Sequence, residues 1–199
     1  MSHAQFAIQD LAFNCIFIRA NEHLKKIAET IGRPLPQELL AAMEKSQTAL
    51  EGLWDETSGI YYSRSFISHK LIEEPTIASL LPLYAGTISK EKTARLVELM
   101  NSRRWFKANW PVPSVPLSSS YFDPLKYWQG PTWININWLI IEGLAGYGFD
   151  DEASILRSKT LELVANSGMN EYFNPINGHP VGAPNFSWTA ALTVDLLNK

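Results

Sequence analysis

The stretch Pro131-Thr132-Trp133-Ile134-Asn135-Ile136-Asn137-Trp138-Leu139-Ile140-Ile141-Glu142-Gly143-Leu144-Ala145-Gly146-Tyr147 decides the fold of this chain. Wound as a helix, 131–147 places Trp133, Ile134, Ile136, Trp138, Leu139, Ile140, Ile141 and Leu144 on nearly every side. A helix apolar all round is buried all round, whereas an amphipathic one keeps a face to solvent. The next segment, 150–166, is amphipathic, with Ala153, Leu156, Leu161 and Val164 on its stripe.

The same pairing extends outward from there. Residues 75–85 are short and mostly apolar, and 89–102 are amphipathic through Leu96, Val97, Leu99 and Met100. Residues 4–31 form a long predicted helix, apolar from Phe6 to Ala20, then amphipathic through Leu24, Ile27, Ala28 and Ile31, and ended by Gly32 and Pro34. Residues 36–54 are amphipathic, and 186–198 are apolar again with Trp188, Ala190, Ala191, Leu192, Val194 and Leu197. Seven helices, buried and exposed by turns, are the order expected of helical hairpins in two concentric layers, with a repeat of roughly 55–70 residues. The expected fold class is therefore all-α, a single domain over 1–199, with an irregular helical bundle as the competing arrangement.

Composition narrows the function. The 199 residues are 46% hydrophobic and 19% charged, a globular profile. A net charge of −3 without any basic run argues against nucleic acid or an acidic membrane surface as partner. Cys15 is the single cysteine and lies in an apolar run, where a structural thiol is expected rather than a nucleophile. No apolar run reaches the ~18–20 residues of a membrane span, so a soluble, reducing compartment, the cytoplasm, is expected. His3, His23, His69 and His179 are scattered without metal-ligand spacing, and no phosphate loop or nucleophile elbow is present. Neither metal nor cofactor is expected.

Aromatic residues are denser than a core alone requires: there are seven Trp, most of them between Trp105 and Trp138. Residues 103–130, with Pro111, Pro113 and Pro116, form a long loop too aromatic for disorder and expected to pack over an opening. Tyr61–Phe66 alternates like a short strand or hairpin. Tyr127-Trp128-Gln129-Gly130-Pro131-Thr132-Trp133 puts three large rings and an amide beside a helix start, with Pro131 suited to the first turn and Gly130 to a close backbone approach. Asn135 and Asn137 need hydrogen-bond partners inside an apolar helix, from a neighbouring helix or a polar cavity. Trp188 opens the last helix, as core packing or as a ring to stack on. Glu171, in Asn170-Glu171-Tyr172-Phe173-Asn174-Pro175, sits near a turn and reads either as a solvated loop glutamate or as a catalytic carboxylate.

YWQGPTWININWLIIEGLAGYG (127–148) followed by NEYFNPINGHPVGAPNFSWTAAL (170–192) closely resembles the C-terminal half of the catalytic domain of glycoside hydrolase family 63 and its bacterial relatives. These relatives include the mannosylglycerate and glucosylglycerate hydrolases and the wider trehalase-like group. QDLAFNCIFIRANEHLKKIAETIG (9–32) and LWDETSGIYY (53–62) resemble the family's middle helices. The resemblance implies part of an (α/α)6 toroid of twelve helices and inverting hydrolysis of an α-glycosidic bond in a small glucoside or mannoside. In that reaction two carboxyls, typically ~6.5–9.5 Å apart, serve as acid and base. It matches Glu171 to the base, Tyr127, Trp128 and Trp133 to sugar-binding aromatics, and Trp188 to the pocket border. Gln129 stands where relatives commonly carry Arg, so the fixed cation is lost there and the resemblance does not define the group recognised.

The family's general acid is an aspartate on a loop upstream of the part represented here. Asp10, Asp55 and Asp123 lie in no matching motif, and Asp123 is the in-chain substitute worth testing. With seven helices of twelve, the ring is expected to be open on one side, exposing apolar faces such as that of 4–20. Either the chain is a truncated piece of the toroid, or a second copy or a complementing chain covers the gap. Two functions follow: a glycosidase half-domain lacking its acid, or a non-catalytic carbohydrate-binding or self-associating helical module.

Overall fold

Asp10 sets the start of the first long helix. Its backbone is extended and its Oδ1 accepts the Phe13 N–H at 2.8 Å, an N-cap that satisfies an otherwise orphaned donor. Helix α1 therefore runs Leu11–Thr30, shorter than the predicted 4–31. The computed structural model describes residues 7–199, so the first residues of that predicted helix lie outside the described ones. Ahead of the cap, Ile8–Gln9 (β1) is extended.

Helix α2 (Gln37–Glu51) follows, then a small hairpin of β2 (Trp54–Asp55) and β3 (Ile60–Tyr61). Strand β4 (Arg64–Ser65) returns to pair antiparallel with β1. The strand expected over Tyr61–Phe66 is thus divided between two ladders. The short apolar helix expected over 75–85 is also divided. Pro82 has no N–H to continue a helical ladder, so Ile77–Leu80 closes as a 3-10 turn. Helix α3 (Pro82–Ala85) adds one turn before Gly86, in the left-handed conformation, stops it. The remaining elements are α4 (Lys90–Met100), α5 (Ile134–Gly146), α6 (Asp150–Ser167), a hairpin of β5 (Asn170–Phe173) and β6 (Pro180–Pro184), and α7 (Ser187–Leu197).

Alternation along the chain becomes two rows in space. Helices α1, α3, α5 and α7 pack in that order, each against the next. The second row backs them: α2 lies on α1, α4 on the 3-10 turn, and α6 on both α5 and α7. The core runs between the rows, from Leu11, Cys15 and Ile18 through Leu80, Leu81 and Leu83 to Ile140, Leu144 and Leu196. Burial pushes the Cys15 thiol far above its ordinary pKa, which makes it an inert core group.

Helix α5 reaches its neighbour by backbone contact. A Cβ built on Gly143 would lie 2.6 Å from the Leu83 carbonyl carbon and 2.7 Å from the Tyr84 nitrogen, and backbone cannot step aside as a flexible side chain can. Gly143→Ala should cost about 3 kcal/mol through overpacking, a fall in Tm of roughly 6–12 °C for a chain this size. Gly146→Ala in the same helix, with open space at its Cβ, should leave Tm unchanged or raise it. Thermal melts of the two variants test this contact.

The two ends of the inner row differ from its middle. On α1, Phe13, Ile16, Phe17, Leu24, Ile27 and the capping Ile31 form one exposed apolar stripe, with Phe13 77% accessible. On α7, Trp188, Val194 and Leu197 are exposed. Helices α3 and α5 have neighbours on both sides, whereas α1 and α7 each lack one among the described residues.

Candidate active site

Thr132 joins the two sequence motifs. Its N–H donates to the Phe173 carbonyl at 2.8 Å, and its own carbonyl accepts the Phe173 N–H at 3.0 Å. On its other side it bridges Pro113, so the proline-rich loop, Thr132, β5 and β6 form one narrow ladder. Pro131 consequently lies outside the helix, the N-cap Trp133 is extended, and α5 begins only at Ile134. The expected position of Pro131 in the first turn is corrected by this ladder, which claims the backbone before the helix can. Gly130 is the predicted close approach: a Cβ there would sit 2.2 Å from the Asp123 carbonyl oxygen.

The proline loop is pinned, not floppy. Fully buried Asn137 accepts the Val112 N–H at 2.9 Å and donates to the Val112 carbonyl at 3.0 Å and to the Trp133 carbonyl at 2.9 Å. Its partner is therefore a loop. Asn135 instead lines an open cleft of about 300 Å³ with Trp188, Ala191 and Leu192.

Beside the ladder stands a column of rings. Trp128 stacks on Trp133 with centroids 4.1 Å apart and planes 4° apart, and Tyr172 covers the other face of Trp133 at 4.9 Å. Tyr127 meets Trp128, Trp133 and Tyr172 edge-on at 5.9, 5.1 and 5.5 Å. Trp133 is only 2% exposed and its Nε1 donates to the Tyr127 carbonyl, so both its faces and its polar edge are taken. Trp128 keeps an open face. Tyr127 holds φ at +39°, a region that non-glycine residues rarely occupy and that the surrounding rings must enforce. Gln129 is half-buried, its backbone closing the small loop through hydrogen bonds with Asp123 and Lys126.

Glu171 lies on β5, one residue before the column's Tyr172, not in the turn. The turn signals belong to the residues after it, where the Asn174 carbonyl accepts the Gly178 N–H and the Asn174 side chain accepts the Ile176 N–H. The half-buried Glu171 carboxylate accepts the Ala183 N–H at 3.2 Å across the hairpin. Desolvation pushes the Tyr172 phenol up from its ordinary pKa, and the charge of Glu171 adds to the rise, so Tyr172 stays neutral beside the acid. Helix α7 is tied to the same strand by Thr189, whose hydroxyl donates to the Asn170 carbonyl at 2.7 Å. Trp188, 54% exposed and edge-on to Phe186, thereby stands at the rim.

The three aspartates are all engaged locally. Asp10 caps α1, Asp55 accepts the Ser58 N–H, and Asp123 accepts the Leu125 N–H. The Ser58 bonds hold Asp55 below the usual carboxylate range, opposite to what a proton donor needs. Among the described residues no three His, Cys, Asp or Glu side chains group as metal ligands, and no helix is long and apolar enough to cross a membrane. Tyr172, Thr132 and the Gly182–Ala183 pair have no signal in the sequence as site residues, because their placement depends on which strand faces Glu171.

The family model for the mannosylglycerate hydrolase MGH1-like glycoside hydrolase domain matches residues 1–189, and the chain belongs to that family. It is 37% identical over 190 residues to a mannosylglycerate hydrolase of Thermus thermophilus, covering 95% of this chain and 45% of that protein. It is 28% identical to a glucosylglycerate hydrolase of Mycolicibacterium hassiacum, covering 96% of this chain and 44% of that one. The solved structure of a family 63 mannosylglycerate hydrolase of Thermus thermophilus in complex with Tris superposes with a TM-score of 0.92 at 34% identity, covering 100% of this chain and 47% of that one. The chain spans a little under half the length of these relatives.

Proposed function

We propose that this chain is an arc of an (α/α)6 toroid and carries the base side of an inverting α-glycosidase acting on a small α-glucoside or α-mannoside, glycerate glycosides foremost. The carrying observation is the half-buried Glu171 carboxylate, held by a backbone amide beside the ring column. In this reading Glu171 takes a proton from water as the water attacks C1, the departing oxygen needs a proton in return, and the anomeric configuration inverts. The open face of Trp128, with Trp188 at the rim, provides rings for a sugar to stack on. Tyr127 and Trp133 hold Trp128 in place, and Gln129 follows it in the chain.

The proton donor is assigned to residues beyond these 199, because Asp10, Asp55 and Asp123 are each engaged in their own turns. A companion polypeptide or second copy covering the stripes on α1 and α7 fits the same reading. Glycosyl fluorides test it, since fluoride departs with its bonding pair and needs no proton donor. The chain alone should hydrolyse α-glucosyl or α-mannosyl fluoride while leaving glucosylglycerate and mannosylglycerate intact. Turnover of the glycerate glycosides by the isolated chain would place the acid within it. Sugar binding without turnover of either fluoride would leave a carbohydrate-binding module.

A further inference from the structure

The hairpin that carries Glu171 has an irregular register. Asn170 pairs with Pro184 and Tyr172 with Val181, so the single residue Glu171 faces two, Gly182 and Ala183. Gly182 has φ +74°, which makes this a bulge of the kind whose first residue is a left-handed glycine. Such a bulge takes one residue out of regular pairing and leaves its amide free of the ladder. Here the freed Ala183 N–H points at Glu171 Oε2, 3.2 Å away.

Space around Gly182 is as constrained as its backbone. A Cβ there would lie 2.7 Å from Glu171 Oε2, 2.8 Å from Glu171 Cβ and 2.7 Å from Tyr172 Cε1. The strand therefore crosses directly over the carboxylate's stem, and only a residue without a side chain on that side leaves Glu171 its rotamer. An L-residue would also be strained at this φ. Bare backbone thus covers both the Glu171 carboxylate and the Tyr172 ring beside it.

We infer that the Gly182–Ala183 bulge is the positioning element of the proposed base: Gly182 clears the volume that the Glu171 carboxylate occupies, and the Ala183 amide fixes its direction. The inference rests on Glu171 being the base but is separable from it. Position matters because a displacement of about 1 Å at a reacting group costs on the order of 10²-fold in rate.

Two measurements on the chain test it. In the first, backbone amide exchange at Ala183 is followed by NMR. This amide belongs to an exposed residue, yet it should exchange at least about tenfold more slowly in the native chain than in Glu171→Ala; equal exchange overturns the inference without reference to turnover. In the second, position 182 is replaced by L-alanine or, through ligation of a synthetic C-terminal peptide, by D-alanine. D-Alanine accepts a positive φ and directs its methyl away from Glu171. Gly182→Ala in the L form should lower kcat on the α-glycosyl fluoride by about 10²-fold with KM little changed, and the D form should restore it to within a few-fold. Equal losses from both forms, or no loss from either, overturn the inference. Native turnover that survives Glu171→Gln would instead remove the base assignment and leave the amide result standing.

Discussion

Glu171→Gln should reduce hydrolysis of an α-glycosyl fluoride by about 10²–10⁴-fold, the usual contribution of a positioned general base. The amide side chain nearly matches the carboxylate in shape, so the ring column and the β5–β6 hairpin stay in place. What is lost is the acceptor for the water's proton. KM should change little, since the proposed sugar contacts are Trp128 and Trp188 rather than Glu171, and the fall should appear almost entirely in kcat. The fluoride isolates this step because no proton has to reach the leaving group. Undiminished turnover in the variant would sink the role given to Glu171.

The second large effect concerns stability. Trp133→Ala removes a ring that is buried between Trp128 and Tyr172 and tied by its Nε1 to the Tyr127 carbonyl. Truncating a buried Trp costs about 3–5 kcal/mol, which lowers Tm by roughly 6–20 °C. Trp128→Ala, at 39% exposed, should cost distinctly less while weakening sugar binding more, because its open face is the one a sugar can reach. Melts and calorimetric titration with glucose or mannose on the pair separate the two roles. Equal melting temperatures would show that Trp133 is not the keystone of the column.

This division was only partly legible beforehand. The motif around Trp128 and Trp133 announces an aromatic cluster, but two Trp so close together on paper look interchangeable. Thr132 breaks the equivalence. By joining the β5 ladder it turns Trp133 inward between two rings, while Trp128 stays on the loop with one face free. Likewise, Pro175 and Asn177-Gly178 correctly announce a turn, yet Glu171 is on the strand before it, where the opposite strand can supply an amide. The two buried-helix asparagines separate for the same kind of reason: Asn137 meets the proline loop and Asn135 meets the cleft.

Sequence by itself determined the alternation of apolar and amphipathic helices and the family, and it singled out Glu171 and the rings as candidates. Those follow from hydrophobic periodicity and from motifs contiguous in the chain. Tertiary structure alone decided where Asp10 starts α1, how Thr132 fastens one motif to the other, which tryptophan is free, and that a bulge at Gly182 roofs Glu171. Most of these are pairings between residues distant in sequence, set by backbone hydrogen bonds that carry no side-chain signature, and so they are not written in the local pattern of the chain.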